Sequence, residues 1–237
     1  MSMSFRVRFQ IKELDFSKEV MMSIGDALGQ ALPKTKIIFD KDRTAVHWHF
    51  GYTIKKEGIY FFGLSILEKS KTDSPWSNSR IPEGYLWLSL SVDNTIFDYF
   101  SWLDDDFLYD SEEQKCSMRR SAEEGTEDFL TCIKVICECV NPVYAAGTHE
   151  ADLFRSELNF EDFLYKITYF SPERVKKIGR GKILSTPAWR VEELKNKGIL
   201  LVTAKHFTVE IENWKIAAKH LGLRIGSADE KSINEQE

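Results

Sequence analysis

The stretch SFRVRFQI, Ser4 to Ile11, alternates without a break. Successive side chains of an extended chain point to opposite faces, so Phe5, Val7, Phe9 and Ile11 share one side and Arg6, Arg8 and Gln10 the other. That is the pattern of a half-buried strand, apolar toward a core and polar on its second face. A strand that opens the chain needs neighbours and an apolar cover, and the next ninety residues offer both.

DFSKEVMMSIGDALGQALP places Val20, Met21, Ile24, Leu28 and Ala31 at helical spacing, and Pro33 closes the segment. TKIIFD reads as a short strand. In RTAVHWHFGYTI, Val46, Trp48, Phe50, Tyr52 and Ile54 take one side of a strand and His47, His49, Gly51 and Thr53 the other. KKEG (Lys55 to Gly58) suits a hairpin turn, and IYFFGLSIL returns as the partner strand. A long polar loop from Glu68 to Gly84 follows, then YLWLSLSV with Leu86, Leu88, Leu90 and Val92 on one face. The expectation is an antiparallel meander of about five strands with one early helix packed on it.

The middle changes character. NTIFDYFSWLDDDFLYD sets Ile96, Phe100, Leu103 and Phe107 on one helical face. SAEE is a capping-box pattern, so Ser121 and Glu124 are expected to open a helix whose stripe is Phe129, Cys132, Ile133, Ile136 and Val140, ending at Asn141-Pro142. VYAAGT and FLYKITYF read as strands. SPERVKKIG starts a short helix on Ser171 and Pro172 and stops at Gly179; TPAWRVEELKNKG repeats that logic with Thr186, Pro187 and Gly198. GILLVTAKHFTVEI is a strand and NWKIAAKHLGL a closing helix. Strands are grouped rather than alternating with helices, which predicts an α+β fold: largely antiparallel sheet with helices packed on one face. One domain is expected over residues 1–223, with possible halves 1–92, strand-rich, and 93–223, mixed; residues 224–237 read as a polar, flexible tail.

The chain of 237 residues is 43% hydrophobic and 29% charged, ordinary for a globular protein. No apolar run reaches the roughly 18 residues a membrane span needs, and MSMSFRVRFQ has no secretory pattern, so a cytoplasmic location is expected. Thirty-two basic residues against thirty-seven acidic ones give a net charge of −5, which argues against nucleic acid as a partner. Acidic residues concentrate in DDDFLYDSEEQ, Asp104 to Gln114, and basic ones in RVKKIGRGK, Arg174 to Lys182. Three of four cysteines, Cys132, Cys137 and Cys139, lie in an apolar helical run without a second knuckle, which predicts buried free thiols rather than zinc.

His47 and His49 would point the same way from a strand and could converge on one ion. Cupin barrels begin their metal motif with such a pair, but the Glu that should follow is replaced by Thr53 and Ile54, so no cupin activity is carried over. A third ligand would have to come from His149, Glu150 or His206. GTHEADLF lacks the second zincin histidine, since position 153 is Leu; it leaves His149 with Glu150 or Asp152 as a conceivable acid–base pair. Against these stands the plainer reading of hydrogen-bonded surface histidines. GRGK could bind an anion through backbone N–H groups, although a helix stop and a turn explain its glycines. Trp76 and Arg80, in a polar loop, are the residue types that anchor interfaces.

From Asn141 to Leu223 the segments NPVYAAGTHEADL, KITYFSPERVKKIGRGKILSTPAWRVEELKNKGILLV and IAAKHLGL resemble uncharacterised microbial proteins of the immunity-protein-like families associated with polymorphic and type VI toxin systems. The resemblance covers about a third of the chain and implies an α+β protein that binds a partner protein without turning over a substrate. The expected function is therefore a non-enzymatic, immunity-like binding module with no cofactor, contacting another protein through Asp104, Asp105, Asp106 and Asp110, with Trp76 and Arg80 as anchors. One alternative is a hydrolase using a divalent metal on His47 and His49, assisted by His149 and Glu150; another is a small-ligand module lined by aromatics. The oligomeric state stays open at this stage.

Overall fold

The computed structural model describes residues 4–43, 48–56, 60–67, 83–93, 111–149, 162–205 and 211–226. The opening stretch is strand β1 (Ser4–Lys12), paired antiparallel with β5 (Tyr85–Asp93) on one side and β6 (Tyr144–His149) on the other. From β5 the sheet continues through β4 (Tyr60–Leu67) and β3 (Trp48–Lys56) to β2 (Lys36–Arg43). From β6 it continues through β8 (Ile167–Phe170) and β10 (Ile199–Val202) to β9 (Arg190–Glu193). The result is one nine-stranded sheet in the order β2-β3-β4-β5-β1-β6-β8-β10-β9. All its pairings are antiparallel, and a two-stranded parallel ribbon joins β7 (Phe163–Leu164) to β11 (Arg224–Ile225). This is an α+β fold. The expected meander is found for four strands, β2 to β5, with the early helix packed on it; β1, expected to open the meander, instead pairs with β5 at its far side.

Two long helices, α1 (Lys18–Ala31) and α2 (Glu112–Val140), cover one face. Cross-strand registry puts Phe5, Val92, Phe62 and Ile54 in one row and Val7, Leu90, Leu64 and Tyr52 in the next; all are buried under Met21, Ile24 and Leu28 of α1 and Phe129, Ile133 and Ile136 of α2. Phe129 sits edge-on to both Phe62, at 5.2 Å between ring centres, and Phe5, at 6.2 Å. Tyr52 reaches through this layer to donate its hydroxyl to the Met21 carbonyl at 3.0 Å. The opposite face is covered at its β8–β10 end by three short helices, α3 (Pro172–Ile178), α4 (Arg180–Leu184) and α5 (Ile211–Leu221), packed on Phe170, Ile199 and Leu201.

Several local expectations are corrected. The second face of β1 is not free: Arg8 is only 2% exposed, beside Ser89 and Ala146 of the flanking strands. An alternating strand shows which face is apolar, not how deep in the sheet it will lie. Helix α2 begins at Ser111, whose hydroxyl accepts from the Gln114 N–H at 3.2 Å, so the Ser121–Glu124 pattern falls inside the helix. The intervening EEQKCSMRR is made mostly of good helix formers, and nothing there stops propagation. The expected second helix of TPAWRVEELKNKG is instead edge strand β9. Its period is two: Arg190 and Glu192 turn toward α2, pairing with Glu127 and Lys134, while Val191 joins the core under α3–α5. GRGK forms the start of α4 rather than a turn. FLYKITYF is split at Tyr165–Lys166, where the Thr168 hydroxyl accepts from the Tyr165 N–H at 3.0 Å. Arg224 and Ile225, expected as the start of a tail, form β11. The helix expected over 94–110 and the KKEG turn's last residues lie outside the described residues.

Both flanks of α2 are tied to strand ends. Lys56, at the end of β3, donates to Glu124 at 2.9 Å and Asp128 at 3.3 Å. Arg190 grips Glu127 with two bonds of 2.8 and 2.7 Å, and Lys195 and Lys205 reach Glu138 and Glu123. Single exposed pairs contribute little; the forked Arg190 contact is the most geometrically specific of them. At the helix end Asn141 is left-handed (φ 42°), and the Asn196 amide donates to the Cys137 carbonyl at 2.9 Å and the Tyr169 hydroxyl at 2.8 Å.

Phe129→Ala is expected to cost about 3–5 kcal/mol, the range for deleting a buried ring. Gly147→Ala should cost about 1–3 kcal/mol by overpacking, since a Cβ there would stand 2.9 Å from both Ile167 and Val7; urea unfolding checks both. The hydrogen bonds from Lys56 and Arg190 hold Glu124 and Glu127 below the ordinary carboxylate value of 4.5. Their contribution is therefore present above pH 4.5 and lost as pH falls through the lowered folded value. Glu127→Gln should make the acid limb of a stability–pH curve shallower and leave its neutral end flat.

Candidate partner-binding surface

The short-helix layer is where charge gathers. Segments 172–184 and 211–226 hold eight Arg and Lys against two Glu, in a chain of net charge −5. The layer is anchored to the sheet by aromatic and carbonyl contacts. Ser171 caps α3 by accepting from the Arg174 N–H at 3.4 Å, with Pro172 in the first turn. Arg174, 7% exposed, lies against the rings of Tyr144 at 4.7 Å and Phe170 at 5.3 Å. Its flat guanidinium thus serves as a packing element between α3 and the sheet. Gly179, at φ +102°, allows the chain to leave α3 and start α4 at once. Arg180 of α4 is paired with Glu193 of β9, which holds that carboxyl below its ordinary value through the hydrogen bond and the nearby charge.

Helix α5 is held by Trp214, whose indole N–H donates to the Leu164 carbonyl at 2.8 Å. Lys182 of α4 donates to the Leu221 carbonyl at 3.0 Å, neutralising the negative end of α5. With Trp214, Ala217, Ala218 and Leu221 turned inward, α5 leaves Ile216 51% exposed, and Lys219 and Glu212 are exposed on the same helix. Ile216 thus stands between Glu212, one turn before it, and Lys219, one turn after it, on the exposed side of α5.

One pair in this layer has the look of catalysis. His220 Nε2 is 3.4 Å from the Ser185 hydroxyl. The same nitrogen is 3.0 Å from the Lys182 carbonyl, which can only accept, and Ser185 donates to that carbonyl at 3.2 Å. A nitrogen carrying a proton for a carbonyl cannot take one from a serine, so both side chains cap the end of α4.

The sequence-derived candidates fall elsewhere. His47, Trp76, Arg80, Asp104, Asp105, Asp106, Asp110, Glu150, Asp152 and His206 lie outside the described residues. The backbones of His49 and His149 are placed: His49 stands opposite Asp42 in β3, and His149 opposite Phe5 in β6. Strands β4, β5 and β1 intervene, and the register sets His49 level with Tyr144 rather than His149. Four strand steps and five residues along the strand amount to about 25 Å across the sheet. The fold does not bring these two histidines to one ion. Among the described residues no three His, Cys, Asp or Glu side chains stand close enough to hold a metal. Cys132 and Cys137 are buried and reduced, as expected, and burial raises both thiols, so they stay protonated. The basic run of α3 and α4 is visible in the sequence, whereas Ile216 and α5's cations join that run only through packing.

Two outcomes check this geometry. Arg174→Lys keeps the charge and loses the flat stack; a cost near 1 kcal/mol would lower Tm by about 2–4 °C, whereas Lys176→Ala on the exposed side should leave it unchanged. His149→Ala should not alter any divalent-metal binding that titration calorimetry detects for His47 and His49.

No described helix is long and apolar enough to cross a membrane. No family model matches the chain, and no curated protein does. Among solved structures it is similar to one described as Pseudomonas aeruginosa T6SS protein PA0821, at 10% identity and a TM-score of 0.50, over 94% of this chain and 76% of that one. At that identity the likeness is one of fold.

Proposed function

We propose that this chain is a non-enzymatic protein-binding module of the immunity type, which acts by covering a partner protein. The observation that carries the reading is the segregation of charge: segments 172–184 and 211–226 hold eight cations against two acids, all but the buried Arg174 reaching the surface, beside an exposed Ile216 on a chain that is otherwise acidic. Complementary fields of this kind speed encounter and fix the register of two proteins. The fold likeness to a protein described as part of T6SS lends support, as does the resemblance of residues 141–223 to immunity-like families. In this proposal Ile216 and Lys219 form one contact centre. Asp104, Asp105, Asp106 and Asp110, with Trp76 and Arg80, remain the second proposed contact.

The test is co-expression of this chain with candidate toxic effector domains of type VI systems, reading growth and complex formation. Protection of growth, together with a stoichiometric complex, is the expected result. Ile216→Asp with Lys219→Glu should weaken that complex at least about tenfold, the scale of a hot-spot substitution. Replacing the four aspartates by Asn should weaken it in a salt-dependent way. A folded chain that neither protects nor binds would overturn the proposal, and measured turnover of a substrate would replace it with an enzyme.

A further inference from the structure

The two edges of the nine-stranded sheet are built differently. Edge strand β9 is four residues long and carries Arg190, Glu192 and Glu193, the short, charged design that discourages pairing. Edge strand β2 is eight residues long and, among the described residues, pairs on one side only, with β3. At its centre are Ile37, Ile38 and Phe39. Ile37 and Ile38 are half-buried, and Phe39 is 41% exposed although its ring leans on Tyr52 at 5.2 Å. Long edges with apolar residues are templates for another strand.

We propose that β2 pairs antiparallel with β2 of a second copy of this chain, about a two-fold axis through Ile38. A two-fold perpendicular to the sheet keeps the helix-covered faces of both copies on the same side. Of the registers it allows, only one opposes the three apolar residues with one another: Ile37 with Phe39 of the second copy, Ile38 with Ile38, and Phe39 with Ile37. That same register sets Lys36 opposite Asp40 at both ends, so apolar pairs are closed by unlike charges. Neighbouring registers set apolar residues against Lys or Asp. Directly opposed cross-strand pairs are the unit that stabilises a sheet, and like charges in that position disfavour it. The second copy is thus favoured by charge and pattern together. Because β2 and β9 end the strand order at opposite sides, the dimer leaves both α3–α5 layers open.

Such an edge contact falls at the small end of interfaces, below about 1,200 Å², so association should be concentration-dependent. Sedimentation equilibrium of the full chain from micromolar to hundreds of micromolar is the test. The mass should rise from 27.5 kDa toward twice that value. Ile38→Lys places two cations face to face on the axis and should abolish the rise. Lys36→Asp and Asp40→Lys should each weaken it, and the double swap should restore it, which separates loss of pairing from loss of folding. A chain that stays at 27.5 kDa throughout, or a dimer indifferent to all these changes, overturns the proposal.

Discussion

The hydrogen bonding of β1 on both edges is the constraint on which the rest of this fold depends. Its neighbours come from distant parts of the chain: β5 closes the N-terminal meander, and β6 begins the C-terminal half. Among the described residues β1 alone joins the two half-sheets. Its backbone groups must be satisfied on both sides, because a buried unpaired amide costs about 1–3 kcal/mol. Its apolar row, Phe5, Val7, Phe9 and Ile11, is at most 1% exposed. Because β1 pairs with Tyr85–Asp93 and Tyr144–His149, the contacts that matter most to the sheet are long-range.

Helix α2 then locks the two halves under one cover. It lies over Phe5, Phe62 and the β5 leucines, and its charged flanks reach β3 on one side and β9 and its following turn on the other. With that face closed by long helices, only the other face is left for shorter elements. There α3, α4 and α5 pack on two strands and present their outward sides as a dense set of cations. The same packing turns chemically suggestive groups into structural ones: Arg174 between two rings, and Ser185 and His220 on a helix end.

Much of the fold was legible in the sequence because it rests on period. The apolar faces of Ser4 to Ile11 and Tyr85 to Val92, the helical spacing from Val20 to Leu28, and the Ser171-Pro172 cap reappear as read. Misreadings came where a local signal had two uses. Thr186-Pro187 can open a helix, but Arg190 and Glu192 found partners on α2, and a strand satisfies them on one side and Val191 on the other. Ser121 and Glu124 fit a cap, yet fit a helix interior equally well. The candidate surface was legible only in part: Arg174 to Lys182 announced cations, while Lys215, Lys219 and Ile216 belong to a helix some thirty residues later.

By itself the sequence determined the periodicities: which residues alternate, which recur at helical spacing, which thiols are apolar, and that the chain is acidic overall. These follow from bonds and side-chain directions within one segment. Only the tertiary structure decided that β1 is central, that Arg8 is covered, that α2 bridges two half-sheets, and that His49 and His149 are far apart. Strand order and helix placement depend on which distant surfaces bury each other best, and no local pattern carries that information.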